Sequence, residues 1–348
     1  MAYNKKSTDN NAIQQLKKDL ADGNIGTLYV FYGEEGYLKR HYLNQLRELC
    51  GGPFEAFNIV TLDGEQVTVQ ALTDAVDSIP MGSDKKLVIV RDYKLMQPTG
   101  DMKEFLPELL SSLPEYVCLV FYFDSMEFKP DKRLKKLWEA VDSGSIVEFA
   151  KQDQRDLIAW VTRHFAAHKK RISTDLCAYL IDITGGTMTA LSGEIDKICA
   201  YSGADEIRKT DIDAVTEPVL DAVVFQMTDL LSAGRYDQAL LKLQQLLKMQ
   251  QEPLAILGAV GGHFRRIGAA RTLLDNGRNA SDLQKLCGIP DYPARKTMEA
   301  ARRFQPSFCA MAARLVMETD YKMKTSYDDS ERLLELLILQ LAQEALGG

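Results

Sequence analysis

Residues 27–46 read Thr-Leu-Tyr-Val-Phe-Tyr-Gly-Glu-Glu-Gly-Tyr-Leu-Lys-Arg-His-Tyr-Leu-Asn-Gln-Leu. The run Leu28 to Tyr32 predicts a buried strand, Gly33 and Gly36 a turn, and the apolar spacing beyond Gly36 an amphipathic helix. Strand, glycine turn and helix N-terminus are the local architecture of a phosphate-binding loop. A working loop needs G-x-x-x-x-G-K-[ST], so that backbone N–H groups curl around the phosphates while a Lys and a hydroxyl complete the site. Here Gly33 and Gly36 stand too close together, Glu34 and Glu35 fall where phosphates would lie, and no Ser or Thr follows Lys39 to hold magnesium. The reading is a nucleotide-binding scaffold without its nucleotide. No cofactor is expected, and the role it suggests is structural or mechanical, within a larger assembly.

Outward from this stretch, helix and strand patterns alternate over residues 1–150. Helices are predicted over 12–22, 36–50, 67–76, 105–113 and 133–141. Strands are predicted over 28–32, 57–62, 86–91, 117–123 and 145–149. The run Leu87-Val88-Ile89-Val90 is apolar without interruption. Such strands, separated by helices, predict a parallel sheet covered on both faces. Beyond residue 150 no strand is expected. Short helices are predicted over 154–167, 175–184, 188–202 and 210–214, the last with Thr210 as its N-cap. Glu217-Pro218 reads as a linker, since Pro stops the preceding helix. From 219 onward the pattern is helical throughout. The last helix, 331–346, is apolar almost all round, so it is either the centre of its own bundle or also packs on other chains. The expected division is 1–150, 151–216 and 217–348: an α/β domain followed by two all-α domains.

The chain has 348 residues, 46% of them apolar, which is ample for several cores. No apolar run reaches membrane-spanning length, and the polar start, Met1 to Asn11, predicts no secretory signal. Six cysteines lie without C-x-x-C spacing and read as reduced core residues of a cytoplasmic protein. The four histidines form no H-E-x-x-H grouping, so no metal is expected. The net charge is −7, all of it carried by the first 215 residues; residues 216–348 hold 16 basic and 16 acidic side chains. That balance argues against a free-standing DNA-binding protein.

No catalytic set emerges. Asp124 ends an apolar strand where a magnesium-binding Asp of an ATPase would stand, but Ser125 follows it and Glu127 is displaced. With no phosphate loop to pair with, a turn residue is the better reading. His263 reads as a helix-surface or packing residue. Arg265, Arg266 and Arg271 fall on one helix, either as a solvated face or as a phosphate or subunit contact. One connector breaks the patterning rules: Ser78-Ile79-Pro80-Met81-Gly82-Ser83-Asp84 should be polar, yet it begins with three apolar residues. Ile79, Pro80 and Met81 either tuck under the sheet edge or form an exposed plug for a partner's pocket.

Together, these segments resemble the delta subunit of the bacterial DNA polymerase III clamp loader. The resemblance rests on Tyr29-Val30-Phe31-Tyr32-Gly33-Glu34-Glu35 with Tyr37-Leu38, and on Ile79-Pro80-Met81-Gly82-Ser83-Asp84-Lys85-Lys86-Leu87-Val88-Ile89-Val90. Thr184-Gly185-Gly186, Glu194-Ile195-Asp196-Lys197, Asp211-Ile212, the stretch from Phe264-Arg265 to Pro290, and Lys322, Lys324 and Thr325 extend it. It implies an AAA+-like α/β module, a small helical lid, and a helical collar that joins the other loader subunits in a ring. It implies no ATPase activity of its own, in line with Gly33, Glu34, Glu35 and Gly36 as a degenerate loop. Its implied partners are the sliding clamp, the sibling subunits and primed DNA, with no membrane. Ile79, Pro80 and Met81 match the family's clamp-binding wedge, with Met81 where many relatives carry a larger aromatic. The rival expectation is an AAA+-type ATPase or helicase-loader component with a non-standard nucleotide site.

Overall fold

A computed structural model describes residues 6–347. The chain forms two compact units, Met1–Gln152 and Asp153–Gly348. The first contains α1 (Lys6–Asp22), β1 (Leu28–Tyr32), α2 (Gly36–Gly51), α3 (Glu55–Asn58), β2 (Ile59–Asp63), α4 (Val69–Asp77), β3 (Lys86–Arg91), α5 (Met102–Ser111), β4 (Val117–Tyr122), α6 (Lys135–Asp142) and β5 (Ser145–Glu148). The strands form one sheet in the order β2-β3-β4-β1-β5, and every pairing is parallel.

Side chains alternate across a strand, and both faces of this sheet are used. Tyr29, Phe31, Leu87, Ile89, Cys118 and Val120 pack against Leu16 of α1 and Leu43, Leu46 and Cys50 of α2. Leu28, Val30, Val88, Val90, Leu119 and Phe121 pack against Leu72 and Val76 of α4, Leu106 and Leu110 of α5, and Leu137 and Val141 of α6. This two-sided burial explains why the central strands read as unbroken apolar runs. The predicted strand over 57–62 begins later: Phe57 lies in the short helix α3 and is exposed. An apolar residue beside a strand imitates the pattern without joining the ladder.

The second unit contains α7 (Gln154–Ala167), α8 (Thr174–Ile183), α9 (Met188–Tyr201), α10 (Lys209–Val215), α11 (Leu220–Ser232), α12 (Tyr236–Lys248), α13 (Pro253–Asp275), α14 (Ala280–Cys287), α15 (Asp291–Ala301), α16 (Pro306–Thr325) and α17 (Ser330–Gly347). Its extended pairing among the described residues is one parallel bridge between Arg171 and Glu206. Helix α10 runs from Lys209 with Arg208 as its N-cap, two residues before the expected Thr210, because the Asp211 carboxylate accepts from the Arg208 amide at 2.9 Å and closes the first turn there. Residues 216–219 are non-helical, where the Glu217-Pro218 linker was expected. Among the described residues, the buried members of a large apolar core run from Val223 to Ala342, with Leu220 packed against them. Leu334, Leu337, Ile338 and Leu341 of α17 are buried in it, while Leu336 and Leu339 are exposed. Side chains from 344 onward, and the start of the polar segment Met1 to Asn11, lie outside the described residues. Among the described residues no helix is long and apolar enough to cross a membrane.

Candidate functional site

In an open parallel sheet, ligands bind outside the carboxyl ends of the strands, where successive connections diverge to opposite faces. Here α2 leaves β1 toward one face, and α4, α5 and α6 cover the other. The paired carboxyl ends of β1 and β4 are that place here, and Gly33, Glu35 and Lys39 stand beside them.

Gly33 has φ +112, and a Cβ there would lie 2.4 Å from the Phe149 carbonyl oxygen. That close approach requires glycine. The turn is held by the Glu35 amide, which donates to the Phe149 carbonyl at 2.9 Å. The Glu35 carboxylate caps α2, accepting from the Tyr37 amide at 3.2 Å. It occupies the N-terminal position that would otherwise attract an anion, and burial raises its pKa. Lys39 is buried, with Nζ donating to the Phe123 carbonyl at 2.6 Å and lying 5.6 Å from the centre of the Tyr122 ring. Burial lowers its pKa against the pull of the Asp124, Asp92 and Glu35 carboxylates.

Asp92 follows β3 with φ 46. Its carboxylate accepts from the amides of Asp124 at 2.9 Å and Met126 at 3.0 Å, from the Ser125 amide, and from the Ser125 hydroxyl at 2.7 Å. Burial pushes its pKa up, but the Ser125 hydroxyl and these amides outweigh that and hold it below the usual carboxylate range. Asp124 itself is an exposed turn residue.

The apolar connector lies elsewhere in this unit. Helix α4 ends at Asp77, Ser78 turns into extended backbone, and the tip follows. Ile79 is 79% exposed and Met81 48%, with Pro80 half-buried. The tip is nevertheless held firmly. Asn58, fully buried, accepts from the Met81 amide at 2.7 Å and donates to the carbonyls of Met81 and Gly51, each at 2.9 Å. Lys86, also buried, donates to the Ser78 hydroxyl. Gly82 has φ +64, and a Cβ there would come within 3.1 Å of the Phe54 ring. The side chains of Ile79 and Met81 face solvent on a backbone fixed from below.

The three arginines all lie on α13 but do not share a face. A helix turns about 100° per residue, so they project in three directions. Arg265 is exposed. Arg266 is half-buried, near enough to His263 and Asp182 to bear on their protonation. Arg271 pairs with Asp275 and also reaches the Ala301 carbonyl at 3.4 Å. His263 is a packing residue, 2% exposed and edge-on to Phe225. All six cysteines are free, four of them buried.

Sequence reasoning passed over Asn58, Asp92 and the burial of Lys39. Each acts through a partner more than 20 residues away, and no local pattern marks such a contact.

Comparison with known proteins joins these observations. Residues 29–150 match the family model "DNA polymerase III, delta subunit", and residues 221–341 match "DNA polymerase III delta subunit, C-terminal domain". The DNA polymerase III subunit delta of Bacillus subtilis (strain 168) is 25% identical over 334 residues, covering 93% of this chain and 95% of that protein. The probable DNA polymerase III subunit delta of Aquifex aeolicus (strain VF5) is 24% identical over 271 residues, 75% of each. The solved Bacillus subtilis DNA clamp loader delta protein shares the fold, with a TM-score of 0.60 at 22% identity over 95% of this chain and 99% of that one. With delta-subunit models matched at both ends and a relative aligned along nearly its whole length, the chain belongs to the DNA polymerase III delta subunit family, the delta proteins of the clamp loader.

Proposed function

We propose that this clamp-loader delta subunit binds and opens the sliding clamp through the Ile79-Pro80-Met81 tip and performs no ATP hydrolysis itself. The observation that carries this reading is the tip: two exposed apolar side chains on a backbone gripped by the buried Asn58 carboxamide. Exposed apolar side chains on a pre-organised backbone lose little entropy on docking and suit a desolvated pocket. Met81 is flexible and polarisable, which fits it to an apolar pocket of irregular shape. If the delta surface fits an opened clamp better than a closed one, binding shifts the clamp toward the open state by that difference in affinity.

The groups at the carboxyl edge of the sheet support the absence of hydrolysis. A phosphate would meet the Glu35 carboxylate on the helix N-terminus and a lysine already committed to Phe123. In this reading residues 1–150 hold the clamp, 151–216 form a lid, and 217–348 form the collar that joins sibling subunits, with primed DNA bound by the assembled loader. The test is co-elution of the purified full chain with the sliding clamp of its own organism. A stable complex is expected, and no binding at micromolar concentrations would remove the proposal.

A further inference from the structure

Two of the four histidines are four residues apart at the carboxyl end of α7, His164 in its last turn and His168 as its C-cap. Residues at that spacing share a helix face. Helix α9 packs against α7 and presents Asp196 to the same place. One ligand atom from each of the three side chains lies within 4.8 Å of the other two. We propose that His164, His168 and Asp196 form a binding site for a divalent transition metal of the zinc class.

Three features support the assignment. The first is chemistry. Two imidazoles and a carboxylate suit zinc and its neighbours, whereas magnesium and calcium prefer all-oxygen shells. The second is spacing. With metal–ligand bonds of about 2.0–2.1 Å, the edge of a tetrahedral centre is about 3.3 Å. His168 Nε2 and Asp196 Oδ1 already lie 3.1 Å apart. The ligand atom of His164 lies within 4.8 Å of both, a separation that must shorten by up to about 1.5 Å when an ion binds. The third is electrostatics. His168 is the C-cap residue of α7, and the negative end of a helix dipole favours a cation there. The Trp160 ring, 4.7 Å from that of His164, limits the imidazole's freedom. His168 and Asp196 are exposed, so ions can enter and a fourth position stays open to water. A bound ion would brace the carboxyl end of α7 against α9.

The pairing of His168 with Asp196 alone would be an ordinary surface ion pair. The third ligand on the same helix face separates the two readings, so the test is built on it. The full chain, its His164→Ala variant and its Asp196→Asn variant are dialysed against zinc chloride in excess magnesium, and retained zinc is measured. The parent chain is expected to keep one zinc per molecule, and each variant to bind at least about tenfold more weakly. Thermal unfolding without metal verifies that both variants are folded. Loading with cobalt(II) separates this site from the six free thiols, since imidazole and carboxylate ligands give no thiolate charge-transfer band. No zinc retained by the parent, equal retention by all three proteins, or a thiolate band in the cobalt adduct would overturn the proposal.

Discussion

The carboxamide of Asn58 holds the backbone of Met81 at both its polar groups: the Met81 amide donates to Oδ1 at 2.7 Å, and Nδ2 donates to the Met81 carbonyl at 2.9 Å. A buried residue at the end of α3 thus fixes an exposed one 23 positions later. The tip is not a loose loop, and its rigidity has its own test. Asn58→Ala leaves three buried or part-buried backbone groups without their partner, at about 1–3 kcal/mol for each group left unsatisfied. Thermal stability and clamp affinity are both expected to fall. An unchanged melting temperature would show that the grip contributes nothing.

Nucleotide silence is a second expectation. With the Glu35 carboxylate on α2 and Lys39 committed to Phe123, calorimetry of the homogeneous chain with ATP, with and without magnesium, should give no binding heat, and phosphate release should stay at background. Measurable turnover that survives further purification would favour the rival reading of an ATPase with an unusual site.

His263 predicts a pH dependence. Burial, with a smaller push from Arg266, takes its pKa down to about 3, against about 6.5 in an unfolded chain. Between those values the unfolded chain binds a proton that the folded chain refuses. The contribution to stability is therefore full above about pH 6.5 and is lost as pH falls, by up to about 1.4 kcal/mol per pH unit. His263→Gln removes this slope, whatever its effect at neutral pH. The melting temperature of the parent should drop more steeply between about pH 6.5 and pH 4 than that of the variant. Parallel profiles would contradict the buried neutral imidazole.

Helix α17 separates folding from assembly. Leu337 is buried in the helical core while Leu336 and Leu339 are exposed. Leu337→Ala should cost about 2–5 kcal/mol of stability. The double change Leu336→Lys with Leu339→Lys should leave stability within about 0.5 kcal/mol per site, yet abolish co-purification with the sibling subunits if this face belongs to the collar. Normal entry of that variant into the loader would remove the exposed face of α17 from the assembly surface.

The sheet was legible because burial on both faces writes itself into sequence as unbroken apolar runs, such as Leu87 to Val90. The turn between β1 and α2 was legible because Gly33, Glu34, Glu35 and Gly36 are contiguous. Ile79 to Met81 stood out as an apolar tip where polarity was expected, but their exposure was open until the fold was built, since a tucked and a projecting tip share one sequence. The partners of Lys39, Asp92 and Asn58 were not legible at all. Each of these polar side chains is satisfied across the sheet or between connectors, and such contacts leave no periodic trace. The boundary of β2 was misread for the opposite reason, because Phe57 is apolar yet exposed.

The central claim rests on Ile79 and Met81 acting on a partner and not on the fold. The most direct measurement is the affinity of Met81→Asp for the sliding clamp, taken together with its thermal unfolding curve. Because Met81 is 48% exposed, stability should change by no more than about 0.5 kcal/mol. Loss of a buried hot-spot contact, at about 2 kcal/mol or more, should weaken clamp binding roughly 30-fold. A clamp affinity per folded molecule equal to that of the parent chain, with or without a fall in melting temperature, would contradict the account.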